Sequence, residues 1–181
     1  MVNNLNIEYY IIDKLKPIDS NQLHQFMSDN KERLKLFFPV TLEMNSSLEK
    51  TEEYISIKNK EIEEKTNFTF AIRDKNNQQI AGLMIIKKID WDNKQGEFAY
   101  CIGSEFEGKG LTSFAVKEMA DFAFEDLGLK TLQIIAHKTN LGSVKVAKNN
   151  GFVWQKTLIN EFTPTNGTPL DMELYELYNE K

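Results

Sequence analysis

Residues 96–112 read GEFAYCIGSEFEGKGLT and carry the strongest structural signal in this 181-residue chain. The apolar run at 97–102 predicts a β-strand, followed by a short glycine-bearing loop and then by an amphipathic helix from residue 111. Gly108 and Gly110 have no Cβ, so the backbone can turn sharply there and approach a ligand closely. Such a junction directs unpaired N–H groups and the positive end of a helix dipole at one place. The stretch therefore predicts a phosphate-binding turn.

One known phosphate motif, the P-loop G-x-x-x-x-G-K-[ST], fits this turn only in part. Gly103, Gly108 and Lys109 have its spacing, but Gly110 stands where the motif has its Mg²⁺-binding hydroxyl. The next apolar strand runs into His137 and offers no acidic residue as a second metal ligand. The pattern therefore argues against nucleotide hydrolysis.

A second motif fits better. In the pattern [QR]-x-x-G-x-[GA], the glycines fall on Gly108 and Gly110, while Glu105 departs from the first position. The longer run around it resembles A-E-x-G-Y-W-x-D-P-E-Y-W-G-K-G-x-A-T-E-A, a sequence of the RimJ/RimL-like branch of the GCN5-related N-acetyltransferase (GNAT) superfamily, which has Glu at that point. Residues 140–152, NLGSVKVAKNNGF, resemble the second signature of the family, N-x-x-S-x-x-[VL]-x-x-[KN]-x-G-F. Both motifs occur in the family's order, so the chain resembles this branch.

The rest of the sequence predicts alternating strands and helices. Strands are predicted at 7–14, 68–73, 80–89, 97–102, 132–136, 152–162 and 172–177, and helices at 17–30, 49–64, 111–127 and 143–150. A βαβ unit across 97–136 and hairpins at both ends indicate an α/β fold with a mixed sheet covered by helices. The resemblance implies a GNAT-like, mostly antiparallel twisted sheet that is splayed open at the acetyl-CoA site, in a single acetyltransferase domain over residues 1–181.

Composition narrows the possible functions. Hydrophobic residues make up 41% and charged residues 27% of the chain, as in an ordinary soluble domain. The net charge of −5 argues against nonspecific nucleic-acid binding and suits an amine substrate. No run of about 18 apolar residues occurs, so we expect no membrane span. Two histidines and one cysteine leave little from which to build a metal site, and we expect none.

The sequence favours a cytoplasmic protein. Cys101 is the single cysteine and cannot form an internal disulfide, which fits a reducing compartment. Residues 1–6 contain neither a basic start nor an apolar run, so we expect no secretory signal.

The resemblance implies acetyl-CoA as cosubstrate, a primary amine as acceptor and, less directly, a homodimer. At pH 7 about a tenth of an α-amine, with its pKa of about 7.7–8.0, is neutral, against well under a thousandth of a lysine, with its pKa of about 10.4. A modest base therefore suffices for a protein N-terminus, which is the favoured acceptor. Two alternatives stay open: an acetyltransferase of a small-molecule amine such as a polyamine or antibiotic, and a non-catalytic acyl-CoA-binding module.

Two residues are candidates for the chemistry. Glu97 lies near the start of the motif strand, where the resembled family often carries a catalytic or water-holding glutamate; a solvated strand-edge carboxylate is the alternative. Ser143 is the candidate for protonating or hydrogen-bonding the departing thiolate. Many superfamily members use a tyrosine a few residues later, which this chain lacks, and the RimJ/RimL-like branch resembles it in having serine instead. Since serine is a weak acid at neutral pH, hydrogen bonding to the thiolate is its expected role.

The remaining candidates concern the two ligands. The resemblance implies that backbone N–H groups around Cys101 and Ile102 polarise the thioester carbonyl, while the Cys101 thiol itself is expected to be inert. The residues expected to contact the cofactor are Cys101, Ile102, Gly108, Lys109, Gly110, Leu111, Thr112, Asn140 and Ser143, with helix capping as an equal role for Asn140.

Phe38, Glu97 and Tyr100 are the candidates for the acceptor site. Phe38 and its neighbours align with a W-x-P segment that helps to wall this site in the branch, although phenylalanine here replaces tryptophan. Tyr100 lies three residues after Glu97 and so faces the other side of a regular strand. We therefore expect Tyr100 in the core, unless a β-bulge turns it toward the cofactor.

Overall fold

The computed structural model describes residues 7–164 and 167–179; the expectation for residues 1–6, the lack of a secretory signal, lies outside them. The helices are α1 Ser20–Asp29, α2 Lys31–Leu34, α3 Pro39–Glu43, α4 Leu48–Glu63, α5 Leu111–Glu125 and α6 Leu141–Asn149. The strands are β1 Tyr10–Lys14, β2 Phe68–Asp74, β3 Ile80–Asp90, β4 Gln95–Ile102, β5 Thr131–Ala136, β6 Val153–Phe162 and β7 Leu170–Tyr178.

Over the described residues, the seven strands form one sheet in the order β1-β2-β3-β4-β5-β7-β6. Only β4 and β5 are parallel neighbours; every other adjacent pair in this sheet is antiparallel. Helix α5 connects β4 to β5, as the predicted βαβ unit requires. The mixed, mostly antiparallel sheet with flanking helices confirms the predicted fold class.

The parallel pairing of β4 and β5 is short. It runs from Gln95 opposite Thr131 to Phe98 opposite Ile134, and residues 99–102 of β4 have no registered partner in β5. The two strands therefore separate halfway along β4, which confirms the predicted opening of the sheet. Because each strand has backbone groups that need partners, this opening exposes an unpaired backbone edge inside the fold.

Strand alternation divides the core into two clusters, one on each face of the sheet. On one face, Leu83 and Cys101 pack with residues of α1 and α4; on the other, Met84, Ile86 and Phe98 pack with residues of α5. The helical partners include Leu23, Met27, Tyr54 and Ile55 on the first face and Ala115, Val116 and Met119 on the second. Burial of each large apolar side chain contributes about 1.5–3 kcal/mol, which fixes the sheet between two helical layers.

The largest differences from the sequence-based elements lie before β2, where the structure also contains the unpredicted helix α2. Strand β1 begins at Tyr10, because residues Ile7–Tyr9 form a 3₁₀ turn. The apolar segment before Pro39, to which the sequence analysis assigned no element, leads into a short helix, α3. Proline is well tolerated at the first helical position, since its missing N–H would have no intrahelical partner there.

A buried ion pair ties the first strands together. The Arg73 side chain is 2% exposed, and its guanidinium donates to both Asp19 oxygens, at 3.0 and 2.7 Å, and to Asp13 Oδ1 at 3.0 Å. Asp19 precedes α1 and Asp13 belongs to β1, so one side chain on β2 fixes three elements. A bidentate pair of this kind is stable in the interior because each charge satisfies the other.

We expect Arg73→Met to lower the free energy of unfolding by about 3–5 kcal/mol, because it leaves the buried Asp19 carboxylate without its partner. Urea unfolding would measure the change. The matched control is Lys60→Met, which removes an exposed pair to Glu64 and should cost within about 0.5 kcal/mol. Equal losses in the two variants would contradict the assignment.

Candidate functional site

A cavity of about 1180 Å³ opens where β4 and β5 separate. Side chains from both faces of β4 line it, among them Glu97 and Cys101 from one face and Tyr100 and Ile102 from the other. The gap passes through the sheet, so strand alternation no longer assigns a residue to only one side. The opening therefore brings groups from two layers of the protein to one space.

Tyr100 lines this cavity without a bulge. Strand β4 pairs with β3 in continuous register from Gly82 opposite Ile102 to Lys87 opposite Glu97. Tyr100 therefore reaches the cavity where β4 has no β5 partner, and its contact with the cofactor stays a prediction. Its side chain is half-buried and packs against the α5-side core.

The backbone at the end of β4 offers one group that fits the oxyanion role. The Gly103 N–H donates to Ala81 O at 2.8 Å, so odd-numbered residues of β4 direct their backbone groups to β3. Of the two N–H groups expected to polarise a carbonyl, the Cys101 group therefore points to β3. The Ile102 group faces the gap, as does that of Tyr100, and is available to a ligand.

The predicted phosphate turn follows directly. Gly108 and Gly110 have φ angles of +69° and +83°, the left-handed region that favours glycine. Gly110 is the N-cap residue of α5, and no side chain of the described residues caps this helix. The first intrahelical amide is Phe114, which donates to Gly110 O at 3.0 Å. The N–H groups of residues 111–113 are thus free to bind an anion at the cavity.

The other predicted residues of the turn divide between cavity and surface. Thr112 is half-buried and lines the cavity, and Leu111 lines it while its side chain anchors α5 in the core. Lys109 is exposed and does not line the cavity. A direct contact of its ammonium with a bound diphosphate would require the side chain to swing inward.

Two residues that the sequence analysis missed fix the turn. Arg33 Nη1 donates to Ile102 O at 3.2 Å and to Asn30 Oδ1 at 2.9 Å, and its Nη2 pairs with the Glu107 carboxylate. Asn30 Oδ1 also accepts from Ser104 N at 3.2 Å. Arg33 therefore covers a carbonyl at the unpaired end of β4. No local signal marks it, because its partners lie 69 and 74 residues further along the chain.

Helix α6 forms the opposite wall. Asn140 Oδ1 accepts from Ser143 N at 3.2 Å, which confirms the predicted capping role of Asn140. The Tyr100 hydroxyl donates a long hydrogen bond of 3.5 Å to Ser143 O, so β4 and α6 are linked across the gap. Asn140 and Ser143 both line the cavity.

Glu97 is buried at the other end of the cavity and is not a solvated strand-edge carboxylate. Its side chain is 8% exposed, and its two oxygens each lie 2.9 Å from an ammonium, that of Lys87 and that of Lys88. The sequence analysis missed both lysines. Regular strand alternation would direct only one of two consecutive residues toward Glu97.

An apolar wall completes this end. Phe38 is half-buried and lines the cavity with Phe37 and with Pro39, the first residue of α3. The Phe37 ring lies 5.6 Å from that of Phe162, measured between centroids, so this segment packs against the end of β6. Phe38 therefore lies where an acceptor could contact it.

Burial raises the pKa values of two cavity groups. It raises the pKa of the Cys101 thiol to about 12, against an ordinary value of 9.0, and the Leu83 backbone and Arg33 offset only part of the effect. It also raises the pKa of the Tyr100 hydroxyl to about 12, although the hydrogen bond with Ser143 acts in the opposite direction. Both groups are thus neutral hydrogen-bond donors at pH 7.

Two kinds of site are absent from residues 7–164 and 167–179. No three His, Cys, Asp or Glu side chains in these ranges lie together so as to hold a metal ion. No helix in the same ranges is long and apolar enough to cross a membrane.

Residues 10–153 match the acetyltransferase (GNAT) domain. The match covers most of the chain, and the chain belongs to this family. Membership confirms the resemblance drawn from the two motifs, and the phosphate turn and the opening between β4 and β5 lie within the matched residues.

A candidate ribosomal N-acetyltransferase of Bacillus subtilis, YdaF, is 31% identical over 98 residues, which cover 54% of this chain and 53% of YdaF. The chain matches about half the length of the curated relatives of this kind. The sequence likeness is thus partial.

Solved structures match over nearly the whole chain. The ribosomal-protein-S5-alanine acetyltransferase of Vibrio fischeri superposes with a TM-score of 0.89 at 22% identity, covering 98% of this chain and 97% of that one. The spermidine N-acetyltransferase of Vibrio cholerae, solved with CoA and spermine, gives 0.78 at 23% identity, with 96% and 98% covered. These likenesses establish the fold.

The buried thiol leads to a testable difference in reactivity. With its pKa raised from 9.0 to about 12, the thiolate fraction of Cys101 at pH 8 should fall about 1,000-fold. We expect a disulfide reagent such as Ellman's reagent to label the folded protein far more slowly than the protein in guanidinium, where one thiol should react. A Ser56→Cys variant, with its thiol on an exposed position of α4, is the positive control. Rapid labelling of Cys101 in the folded protein would contradict the assignment.

Proposed function

We propose that this protein is an acetyl-CoA-dependent N-acetyltransferase that transfers an acetyl group to a primary amine by direct attack, with a protein N-terminal α-amine as the favoured acceptor. The observation that carries the proposal is the opening between β4 and β5. It joins the unpaired N–H groups of a phosphate turn, at Gly108–Thr112, to a buried carboxylate, Glu97, within one cavity. An extended ligand with a diphosphate at one end and a reactive group at the other fits such a space.

The cofactor end would work through backbone groups. Gly108, Gly110 and the N–H groups of residues 111–113 would bind the diphosphate, with Thr112 adding a hydroxyl. The pantetheine arm would extend along the unpaired edge of β4, where the Ile102 N–H can donate to the thioester carbonyl. Asn140 supports this end by ordering the first turn of α6.

The transfer itself needs one proton acceptor and one hydrogen-bond donor. The neutral amine nitrogen forms a bond to the acetyl carbonyl carbon, and the C–S bond then breaks to release the CoA thiolate. The amine proton passes to Glu97, directly or through a water molecule. The Ser143 hydroxyl would hydrogen-bond to the thiolate, whose ordinary pKa of about 8.5 makes it a good leaving group.

Three further assignments belong to the proposal. The chain would form a single catalytic domain and would act in the cytoplasm, where its lone cysteine stays reduced. It would form a homodimer, and the exposed apolar residues of the edge strand β6, Val153, Trp154 and Ile159, are a candidate surface. Light scattering across a concentration series, with Ile159→Lys as the variant, tests the dimer.

Calorimetric titration tests the cofactor first. We expect saturable binding of acetyl-CoA and no heat from ATP with Mg²⁺, because the turn lacks the hydroxyl that a P-loop uses to hold the metal. Acetylation of an amine panel, followed by release of CoA thiol, then tests the activity. If the protein binds ATP but does not bind acetyl-CoA, the proposal is wrong. If it binds acetyl-CoA but transfers the acetyl group to no amine, it is a non-catalytic binding module.

We expect Glu97→Gln to lower kcat by about 100-fold, as for loss of a general base. Ser143→Ala should lower kcat by about tenfold, since one hydrogen bond to a charged leaving group is lost. Neither variant should change the Kd for acetyl-CoA by much, and calorimetry can verify this separately from kinetics. Ser56→Ala, on the exposed face of α4, is the control. Unchanged kcat in both variants would refute these roles.

Gly108 of the phosphate turn has a closely matched control in Gly128, which lies between α5 and β5. Gly108 and Gly128 have nearly equal φ angles, +69° and +68°, and an added Cβ would meet no atom within 4 Å at either position. Alanine should therefore cost about 1 kcal/mol of stability at both. Only Gly108 lines the cavity. We expect Gly108→Ala to raise the Kd for acetyl-CoA about tenfold, or about 1.4 kcal/mol, and Gly128→Ala to leave it unchanged. If both variants bind acetyl-CoA with equal affinity, the diphosphate does not bind at the Gly108 turn.

A further inference from the structure

Four charged side chains meet at the Glu97 end of the cavity. Lys87 and Lys88 come from β3, Glu97 from β4 and Glu161 from β6. Each Glu97 oxygen lies 2.9 Å from one of the two ammonium groups, and Lys88 Nζ also lies 3.9 Å from Glu161 Oε1. All four line the cavity.

Irregularities in two strands create this cluster. On β3 the register passes from Lys87 opposite Glu97 to Asp90 opposite Gln95, so β3 contains one extra residue there. Lys88 lies in this bulge with a φ of +50°, which turns it to the same side as Lys87. Without the bulge, the two lysines would point to opposite faces.

A second irregularity lies on β6. Its register with β7 shifts between Leu158 and Phe162, and Asn160 has a φ of +54°. Glu161 follows immediately and reaches the cavity. Residues other than glycine rarely adopt such backbone angles. Both strands are therefore strained where the charged side chains meet.

The cluster carries no net charge, since two ammonium groups face two carboxylates. A polyamine would find both oxygens of Glu97 already paired and would gain little net attraction. A lone ammonium that took the place of Lys88 on Glu97 would leave Lys88 with only its longer contact, 3.9 Å, to Glu161. Lys88 is the member that can leave, because its side chain is 61% exposed while that of Glu97 is 8% exposed.

We propose that the acceptor carries an anionic group beside its amine, as in a polypeptide N-terminus with Asp or Glu at the second position. The acceptor ammonium takes the place of Lys88 on Glu97, and the acceptor carboxylate pairs with the released Lys88. The number of ion pairs is conserved, and Glu97 Oε2 is freed to accept the amine proton. This inference rests on the proposed acetyltransferase function and narrows its acceptor.

The exchange explains why two lysines surround a residue proposed as a base. Without an anionic acceptor, Lys88 stays on Glu97 and occupies the oxygen that the amine proton needs. With one, the acceptor itself draws the lysine away. Lys88 is thus a specificity-determining residue, and Lys87 holds the other oxygen of Glu97 in place during the exchange.

The test compares peptides that begin Ser-Asp, Ser-Asn and Ser-Lys and are otherwise identical, with spermidine as a polycation. We expect kcat/KM for the Asp peptide to exceed that for its uncharged Asn counterpart about twofold to fivefold, the effect of one partly exposed ion pair. The Lys peptide and spermidine should be poorer still. Raising the salt concentration should shrink these differences.

Variants assign the preference to the cluster. In Lys88→Met the ratio of kcat/KM for the Asp and Asn peptides should fall close to one. Lys117→Met, which changes an exposed lysine outside the cavity, should keep the ratio of the unmodified protein. If Lys88→Met does not fold, the peptide series on the unmodified protein still decides the acceptor class.

Three results would overturn the inference. Equal or reversed rates for the Asp and Lys peptides would overturn it while leaving the acetyltransferase function standing. If the preference for the Asp peptide persists in Lys88→Met, Lys88 does not determine the acceptor specificity. Failure to acetylate any acceptor would overturn the inference together with the proposed function, and the two failures are therefore distinguishable.

Discussion

The site depends on one constraint, the end of parallel pairing between β4 and β5 after Phe98. Backbone groups inside a protein need partners, and a strand that loses its neighbour must find them elsewhere. At the end of β4 the Ile102 carbonyl finds Arg33, while the Ile102 N–H has no strand opposite it. A ligand that supplies a carbonyl there completes the sheet. The cavity thus occupies the position in which a neighbouring strand would pair with the end of β4.

Close packing on the other side of β4 keeps the gap where it is. An added Cβ on Gly82 of β3 would lie 2.3 Å from Cys101 O, so the β3 and β4 backbones approach each other too closely for any side chain at that position. Strand β4 is therefore held against β3. On the far side, the contact of Tyr100 with Ser143 ties β4 to α6. The opening is fixed from both sides and does not depend on one loop.

The sequence predicted what local signals specify. Glycines with left-handed angles at 108 and 110 and the cap at Asn140 depend on neighbouring residues, and each was found where it was expected. Lys88 was missed because its direction depends on a bulge, and a single extra residue in β3 leaves no pattern in the sequence. Arg33 was missed for a different reason: its contacts with β4 and the turn exist only after folding brings together residues about 70 positions apart.

Because the gap passes through the sheet, residues from both of its faces border one space in which two substrates could meet. Glu97 and Cys101 belong to the face covered by α1 and α4, and Tyr100 to the face covered by α5 and α6. In a continuous sheet these groups could not act on the same molecule. Under the proposed function, a cofactor held by the start of α5 and an amine held beside Glu97 would approach from opposite layers. They would then meet at Ile102, whose N–H faces the gap, so the unpaired edge that would bind the thioester would also admit the acceptor.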